Sequence, residues 1–212
     1  MKTIGRLHVL TDTALQSRFS HVALTELALS GGADTIQFRQ KTGATKELIE
    51  IATHMRRVCA EKGAMFIVND RIDVAIASEA DGVHLGQNDF PIPLARKLLG
   101  KDCIIGGSAA TMEEMKNCIR EGADYVGFGP VYPTGSKDDA GPVSGIDIVK
   151  QIVESSPVPV IAIGGIDQNN ASHVMGVGAH GIAVISAVCC RKDPKKAARE
   201  LHDAVHENIL RK

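Results

Sequence analysis

Four short phrases recur along this chain: Gly32-Ala33-Asp34, Glu79-Ala80-Asp81, Gly122-Ala123-Asp124 and Gly178-Ala179-His180. Each stands behind a helical period and just ahead of a β-rich run. A glycine at that point ends the preceding helix in a left-handed conformation, and the Ala-Asp or Ala-His turn leads into the next strand. Such a repeat restricts the chain to a fold made of similar strand–helix units.

The strand candidates are 7–11, 35–38, 65–68, 82–85, 103–105, 125–128, 158–163 and 181–185. Near-continuous apolar strands separated by helices predict a parallel sheet covered on its outside. Helices fill the gaps. Segment 45–62 carries Leu48, Ile51, Ala52 and Met55 at helical spacing. Segment 111–121 opens on Thr-Met-Glu-Glu, a capping-box pattern, and 193–209 forms the last cover with Ala197, Ala198, Leu201 and Val205 as its buried stripe. Eight units in 212 residues are about 26 residues each. That predicts one α/β domain over 1–212, a (β/α)8 TIM barrel whose active site lies at the C-terminal rim of the strands. A doubly wound open sheet is the alternative, but it gives no reason for eight units.

Composition narrows the function classes. With 44% apolar and 23% charged residues the balance is that of an ordinary globular chain. A net charge of −1 and only 3% aromatics argue against a nucleic-acid or membrane-surface partner. No apolar run is long enough to span a bilayer, and Met1-Lys2-Thr3-Ile4-Gly5 has no signal-peptide core, so a cytoplasmic protein is expected. Cys59, Cys103, Cys118, Cys189 and Cys190 show neither a disulfide framework nor zinc spacing. They are expected to be buried or half-buried thiols, with the Cys189-Cys190 pair open to a redox role.

The chemistry-bearing residues fall at strand ends. Asp70 and Asp89 close two successive strand runs, nineteen residues apart. Two carboxylates converging at one rim repel each other, and a divalent cation such as magnesium would relieve that. Each Asp could instead be a helix N-cap. Gln37, Arg39 and Lys41 alternate onto one side of the second strand, where an interior Arg needs an anion such as a ligand phosphate. The long segment after the sixth strand gathers Thr134, Ser136 and Lys137, which could wrap a phosphate. Gly165 after the seventh strand and Ser186 after the eighth occupy the places where such barrels bind phosphate on backbone N–H groups. His84, alone within the fourth strand, reads as a packed structural residue.

Taken together, Gln37-x-Arg39-x-Lys41, Asn69-Asp70-Arg71, Gly82-x-His84-Leu85-Gly86-Gln87-x-Asp89, Gly129-Pro130-x-x-Pro133-Thr134-x-Ser136-Lys137 and Ile163-Gly164-Gly165-Ile166 resemble the thiamine-phosphate synthase family. The likeness spans nearly the whole chain. It implies a (β/α)8 transferase that joins a hydroxymethylpyrimidine diphosphate to a hydroxyethylthiazole phosphate, releasing diphosphate. By that resemblance Asp70 and Asp89 hold magnesium, and Gln37 orients the pyrimidine. Arg39, Lys41, Asn69, Ser108 and Lys137 bind the diphosphate, with Arg39, Lys41, Ser108 and Lys137 acting on it as it leaves. Thr134, Ser136, Gly165, Ile185 and Ser186 line the thiazole-phosphate side. The route implied is dissociative: a pyrimidine-methyl cation forms and the thiazole nitrogen captures it. A homo-oligomer is compatible with all of this, and the sequence does not decide it.

One position departs from the pattern. After Ser108 the family usually carries histidine two residues on, and this chain reads Ser108-Ala109-Ala110-Thr111. Ala110 speaks against the sister family of thiazole tautomerases, which use that histidine for proton transfer. A non-catalytic phosphate-binding regulatory barrel is the other alternative, and the full acidic and basic set argues against it.

Overall fold

In a computed structural model describing residues 3–136 and 141–206, eight parallel strands close on themselves in sequence order. The first half runs β1 Leu7–Thr11, α1 His21–Ser30, β2 Thr35–Phe38, α2 Thr45–Glu61, β3 Met65–Asn69, α3 Ile72–Ala77, β4 Gly82–Leu85 and α4 Ile92–Leu99. The second half runs β5 Ile104–Ala109, α5 Met112–Glu121, β6 Tyr125–Phe128, α6 Ile146–Ser155, β7 Val160–Ile163, α7 Ala171–Gly176, β8 Gly181–Val184, a short α8 Ser186–Cys189 and α9 Pro194–His206. The ring is sealed by β1 against β8, where Leu7, His8 and Val9 stand beside Ile182, Ala183 and Val184. This is the (β/α)8 barrel the repeat predicts.

Strand alternation sorts the side chains into two apolar cores. Val9, Ile36, Val68, Val83, Leu85, Ile105 and Val126 point outward and pack beneath the helices. Leu10, Ile67, Ile104, Tyr125, Ile161 and Ala183 fill the barrel interior. Polar groups on the same inward parity, further up each strand, therefore face the mouth.

The recurrent phrase has a second cause beyond the turn. Asp34 accepts the Leu7 N–H at 2.8 Å and returns its own N–H to the Leu7 carbonyl at 3.1 Å. Asp81 does the same with Phe66, both bonds at 2.9 Å, and Asp124 with Ile105, both at 2.7 Å. Each Asp thus stitches the strand it precedes to the one before it. His180 keeps the backbone half of the device, donating to Val160 at 2.9 Å. Gly32, Gly122 and Gly178 take positive φ as expected, and Glu79, standing where the others have glycine, is forced to φ +52°.

Boundaries differ from the sequence reading at four strands, at β3 only by the addition of Asn69. β5 continues to Ala109 through Gly106 and Gly107, because those glycines make room for neighbours rather than breaking the strand. β7 starts at Val160, after Pro159, whose nitrogen has no hydrogen to give a ladder. β8 ends at Val184, and Ile185 caps α8, a turn of helix with no signal of its own in the sequence. The capping box on α5 is present, with Thr111 and Glu114 bonding each other's backbone. The last helix starts at Pro194, and its expected end at 209 lies outside the described residues. Among the described residues no helix is long and apolar enough to cross a membrane. Cys59, Cys118 and Cys189 are buried, Cys103 is half-buried, and all five thiols are free. Cys190 departs from the expectation: it is exposed, because it ends α8 at the rim.

Candidate active site

A cavity of about 960 Å³ opens at the C-terminal ends of the strands and reaches down to His8, Leu10 and Tyr125. Every site residue expected from the sequence lines it, except Lys137, which lies outside the described residues.

On one side the acidic and basic residues of β2, β3 and the turn after β4 converge. The Lys41 ammonium pairs with Asp70. Asp70 is held at φ +63°, a left-handed backbone few residues accept, with its N–H on the His84 carbonyl at 2.9 Å. Its carboxyl meets that of Asp89. Burial and the facing Asp89 raise Asp70 above the usual carboxylate range, against the pull of Lys41. Burial works the same way on Asp89. The shared hydrogen bond with Asp70, the Gly86 N–H at 2.7 Å and the Lys41 charge outweigh it and hold Asp89 low. Neither residue is a helix cap: α3 is preceded by Arg71 and α4 by Pro91, with no side-chain cap on either. The two carboxyls instead face each other and share a hydrogen bond.

Arg39 modifies one argument from the sequence. Its guanidinium is already neutralised by Asp12, the residue after β1, so burial of Arg39 does not by itself demand a ligand. Its Nε is nevertheless buried with no hydrogen-bond partner among the described residues, as is Oε1 of Gln37. Gln37 is 3% exposed and borders the cavity, so its unmet acceptor is the stronger pointer to something that binds there. Asn69, at the end of β3, is buried beside it.

The opposite wall is built from the ends of β6, β7 and β8. Ser136 Oγ lies 3.0 Å from Ser186 Oγ, joining the β6 loop to the start of α8, and Thr134 Oγ1 accepts the Ser136 N–H at 3.2 Å. Ile185 is buried and Ser186 begins the short helix, whose first N–H groups have no intrahelical acceptor. Gly165 sits at φ +64°, where an added Cβ would lie 2.5 Å from the Pro133 carbonyl oxygen and 2.7 Å from Tyr132 Cβ. The β6 loop itself therefore requires glycine there. Ala110 presents no functional group; its N–H is taken by the Glu114 carboxylate at 2.6 Å.

Three contributors were not assigned to the site from sequence. His84, read as structural, faces the cavity between Ser108 and Tyr125. Its signal was parity: Val83 and Leu85 point outward, so His84 points in. Asp12 gave no signal beyond following β1. Gln87 binds the Ser108 carbonyl at 2.6 Å, a contact only the fold reveals.

Residues 7–188 match the family described as thiamine monophosphate synthase. The chain belongs to the thiamine monophosphate synthase family. It is 48% identical over 210 residues to the thiamine-phosphate synthase of Salinibacter ruber, covering 99% of this chain and 92% of that one. It is 49% identical over 204 residues to the thiamine-phosphate synthase of Methanocella arvoryzae, covering 96% of each. The thiamine phosphate pyrophosphorylase of Pyrococcus furiosus superimposes with a TM-score of 0.87 at 43% identity, over 95% of this chain and 96% of that one. Membership in the thiamine monophosphate synthase family agrees with a barrel whose mouth carries two polar walls facing each other.

Proposed function

We propose that this single-barrel protein joins a hydroxymethylpyrimidine diphosphate to a hydroxyethylthiazole phosphate, forming thiamine phosphate and free diphosphate in the cytoplasm. The observation that carries the reading is the pairing of walls. A cationic and acidic cluster on β2–β4 suits a diphosphate, and a hydroxyl-rich wall on β6–β8 suits a monophosphate.

Asp70 and Asp89 fit magnesium. They supply hard oxygen donors whose mutual repulsion a cation relieves, and magnesium is typically held by one or two carboxylates with phosphate and water completing the shell. Among the described residues no third His, Cys, Asp or Glu joins the two carboxylates, which leaves the rest of such a shell to substrate phosphate and water. Magnesium, when bound, neutralises charge on the departing diphosphate.

The remaining work falls to side chains of this chain. Gln37 turns its unmet oxygen toward the pyrimidine and accepts a hydrogen bond from it. Lys41, Arg39 and Ser108 take up negative charge as the methylene C–O bond breaks and both electrons leave with diphosphate. The thiazole nitrogen then closes a C–N bond on the pyrimidine-methyl cation. Ser136, Thr134 and Ser186 hold the thiazole phosphate so that its nitrogen is positioned for that capture. No proton need be removed by the protein in the bond-forming step.

The test is incubation with both substrates and magnesium, scoring diphosphate by a coupled assay and thiamine phosphate by mass. Equimolar appearance of both products is expected. Diphosphate release without the thiazole phosphate, at the same rate, would make the protein a hydrolase and overturn the reading.

A further inference from the structure

The barrel interior carries a part-buried hydrogen-bonded chain from Tyr125 through His84 to Ser108, of which the mechanism above uses only Ser108. Tyr125 Oη lies 2.9 Å from His84 Nδ1, and His84 Nε2 lies 2.9 Å from Ser108 Oγ. The imidazole and phenol rings sit 5.4 Å apart, tilted by 32°. Two glycines clear the space. A Cβ on Gly106 would fall 2.5 Å from His84 Nδ1 and collide with the Tyr125 ring. A Cβ on Gly127 would fall 2.9 Å from His84 Cε1. The strand that carries Ser108, β5, and its neighbour β6 are thus kept bare around the imidazole.

We propose that His84, set by Tyr125, is a positioning residue that fixes the Ser108 hydroxyl as a hydrogen-bond donor into the cavity. The argument is one of proton accounting. Tyr125 is 1% exposed, and its hydroxyl meets no acceptor other than His84 Nδ1 among the described residues. A buried O–H must donate, and burial pushes the phenol pKa up, so it keeps its proton. Nδ1 is therefore the acceptor, and the neutral ring carries its hydrogen on Nε2. That hydrogen is donated to Ser108 Oγ, and the serine's own hydrogen turns away from the ring. Ser108 lines the cavity, so its O–H points at whatever binds there.

The opposite tautomer would do the reverse. Ser108 would spend its hydrogen on Nε2 and offer only lone pairs to the cavity, which repels an anion. The sequence Tyr125 to His84 to Ser108 thus turns an ambivalent hydroxyl into a donor matched to diphosphate oxygen. The role assigned to the donated hydrogen rests on the proposed function; the tautomer does not.

Two measurements test it. In 15N spectra of ligand-free protein at about pH 8, His84 should show an unprotonated Nδ1 and a protonated Nε2. Tyr125→Phe should convert that signature to a tautomer mixture. A protonated Nδ1 in the unaltered protein overturns the proposal whatever the reaction proves to be. The second is a double-mutant cycle on diphosphate release. His84→Phe, which fills the same space, should lower kcat about tenfold, the scale of one hydrogen bond. It should leave KM for the thiazole phosphate unchanged and cost nothing further in a Ser108→Ala background. Additive losses, or equal rises in KM for both substrates, would show that His84 only packs the barrel. If the unaltered protein releases no diphosphate at all, the functional reading fails, and the 15N signature still decides the tautomer.

Discussion

Asp70 and Asp89, nineteen residues apart, meet carboxyl to carboxyl at the barrel mouth, with Lys41 closed onto Asp70. Burial and the facing carboxyl raise Asp70 above the usual carboxylate range, while the hydrogen bonds from Asp70 and the Gly86 N–H and the Lys41 charge hold Asp89 low. The backbone at Asp70 is as specialised as its side chain. Asn tolerates the left-handed region and Ala does not. Asp70→Asn should therefore fold with a melting temperature close to the parent while losing at least a hundredfold in turnover. Asp70→Ala should lose turnover equally and an additional 1 kcal/mol or so of stability. Thermal unfolding of the two variants side by side checks this; equal melting temperatures would remove the backbone argument.

Ser186 and Ser136 join hydroxyl to hydroxyl across the mouth at 3.0 Å. Ser186→Ala should weaken thiazole-phosphate binding by about 1 kcal/mol, roughly fivefold, and leave pyrimidine-diphosphate binding alone. Gly165→Ala should behave differently. Its Cβ would strike Pro133 and Tyr132, displacing the loop that carries Thr134 and Ser136, so a larger loss is expected. Titration calorimetry with each substrate separates the two effects. Equal losses for both substrates in Ser186→Ala would contradict the assignment of that wall.

Glu79 supplies a stability test far from the chemistry. It takes φ +52° where the other copies of the repeat have glycine. Glu79→Gly should stabilise the protein by about 1 kcal/mol, the left-handed penalty less the entropy glycine adds to the unfolded chain. For a chain of this size that is roughly 2–4 °C in melting temperature. A fall in melting temperature would mean the side chain contributes more than its backbone strain removes.

His8 makes stability depend on pH. It is enclosed within the barrel, Nε2 on the Gly5 carbonyl, and burial depresses its pKa from 6.5 to about 4. The folded state holds the ring neutral while the unfolded chain binds a proton below 6.5. The stability is fully present above that pH and declines as pH falls toward 4, by about 3 kcal/mol in all. His8→Gln should flatten this decline in urea titrations between pH 7 and about 4. An unchanged slope would assign the acid sensitivity to other groups.

Four copies of the repeat, each joining a helix end to a strand start, together with eight strand candidates between helical periods, were enough to read the barrel. The inner glycines of β5 misled: Gly106 and Gly107 resemble a strand break in sequence, and only the rings of His84 and Tyr125 and the thiol of Cys118 beneath them explain the continuation. Site residues on single strands, such as Gln37, Arg39 and Lys41, were legible through alternation. Pairings across the barrel were not. Nothing local in sequence ties Asp12 to Arg39 or Ser136 to Ser186, since these contacts exist only once the ring has closed. The helix-cap alternative for Asp70 and Asp89 likewise needed the structure, which places Arg71 and Pro91 at the positions a cap would hold.

The most direct measurement is diphosphate release from the two substrates as magnesium is titrated, in the parent protein and in Asp89→Asn. Parent turnover should require the metal, vanish on chelation and return on readdition. The variant should need at least tenfold more magnesium for half-maximal rate at unchanged melting temperature. Full turnover of the parent in excess chelator, or a variant that tracks the parent across the whole titration, would contradict the account of the carboxylate pair.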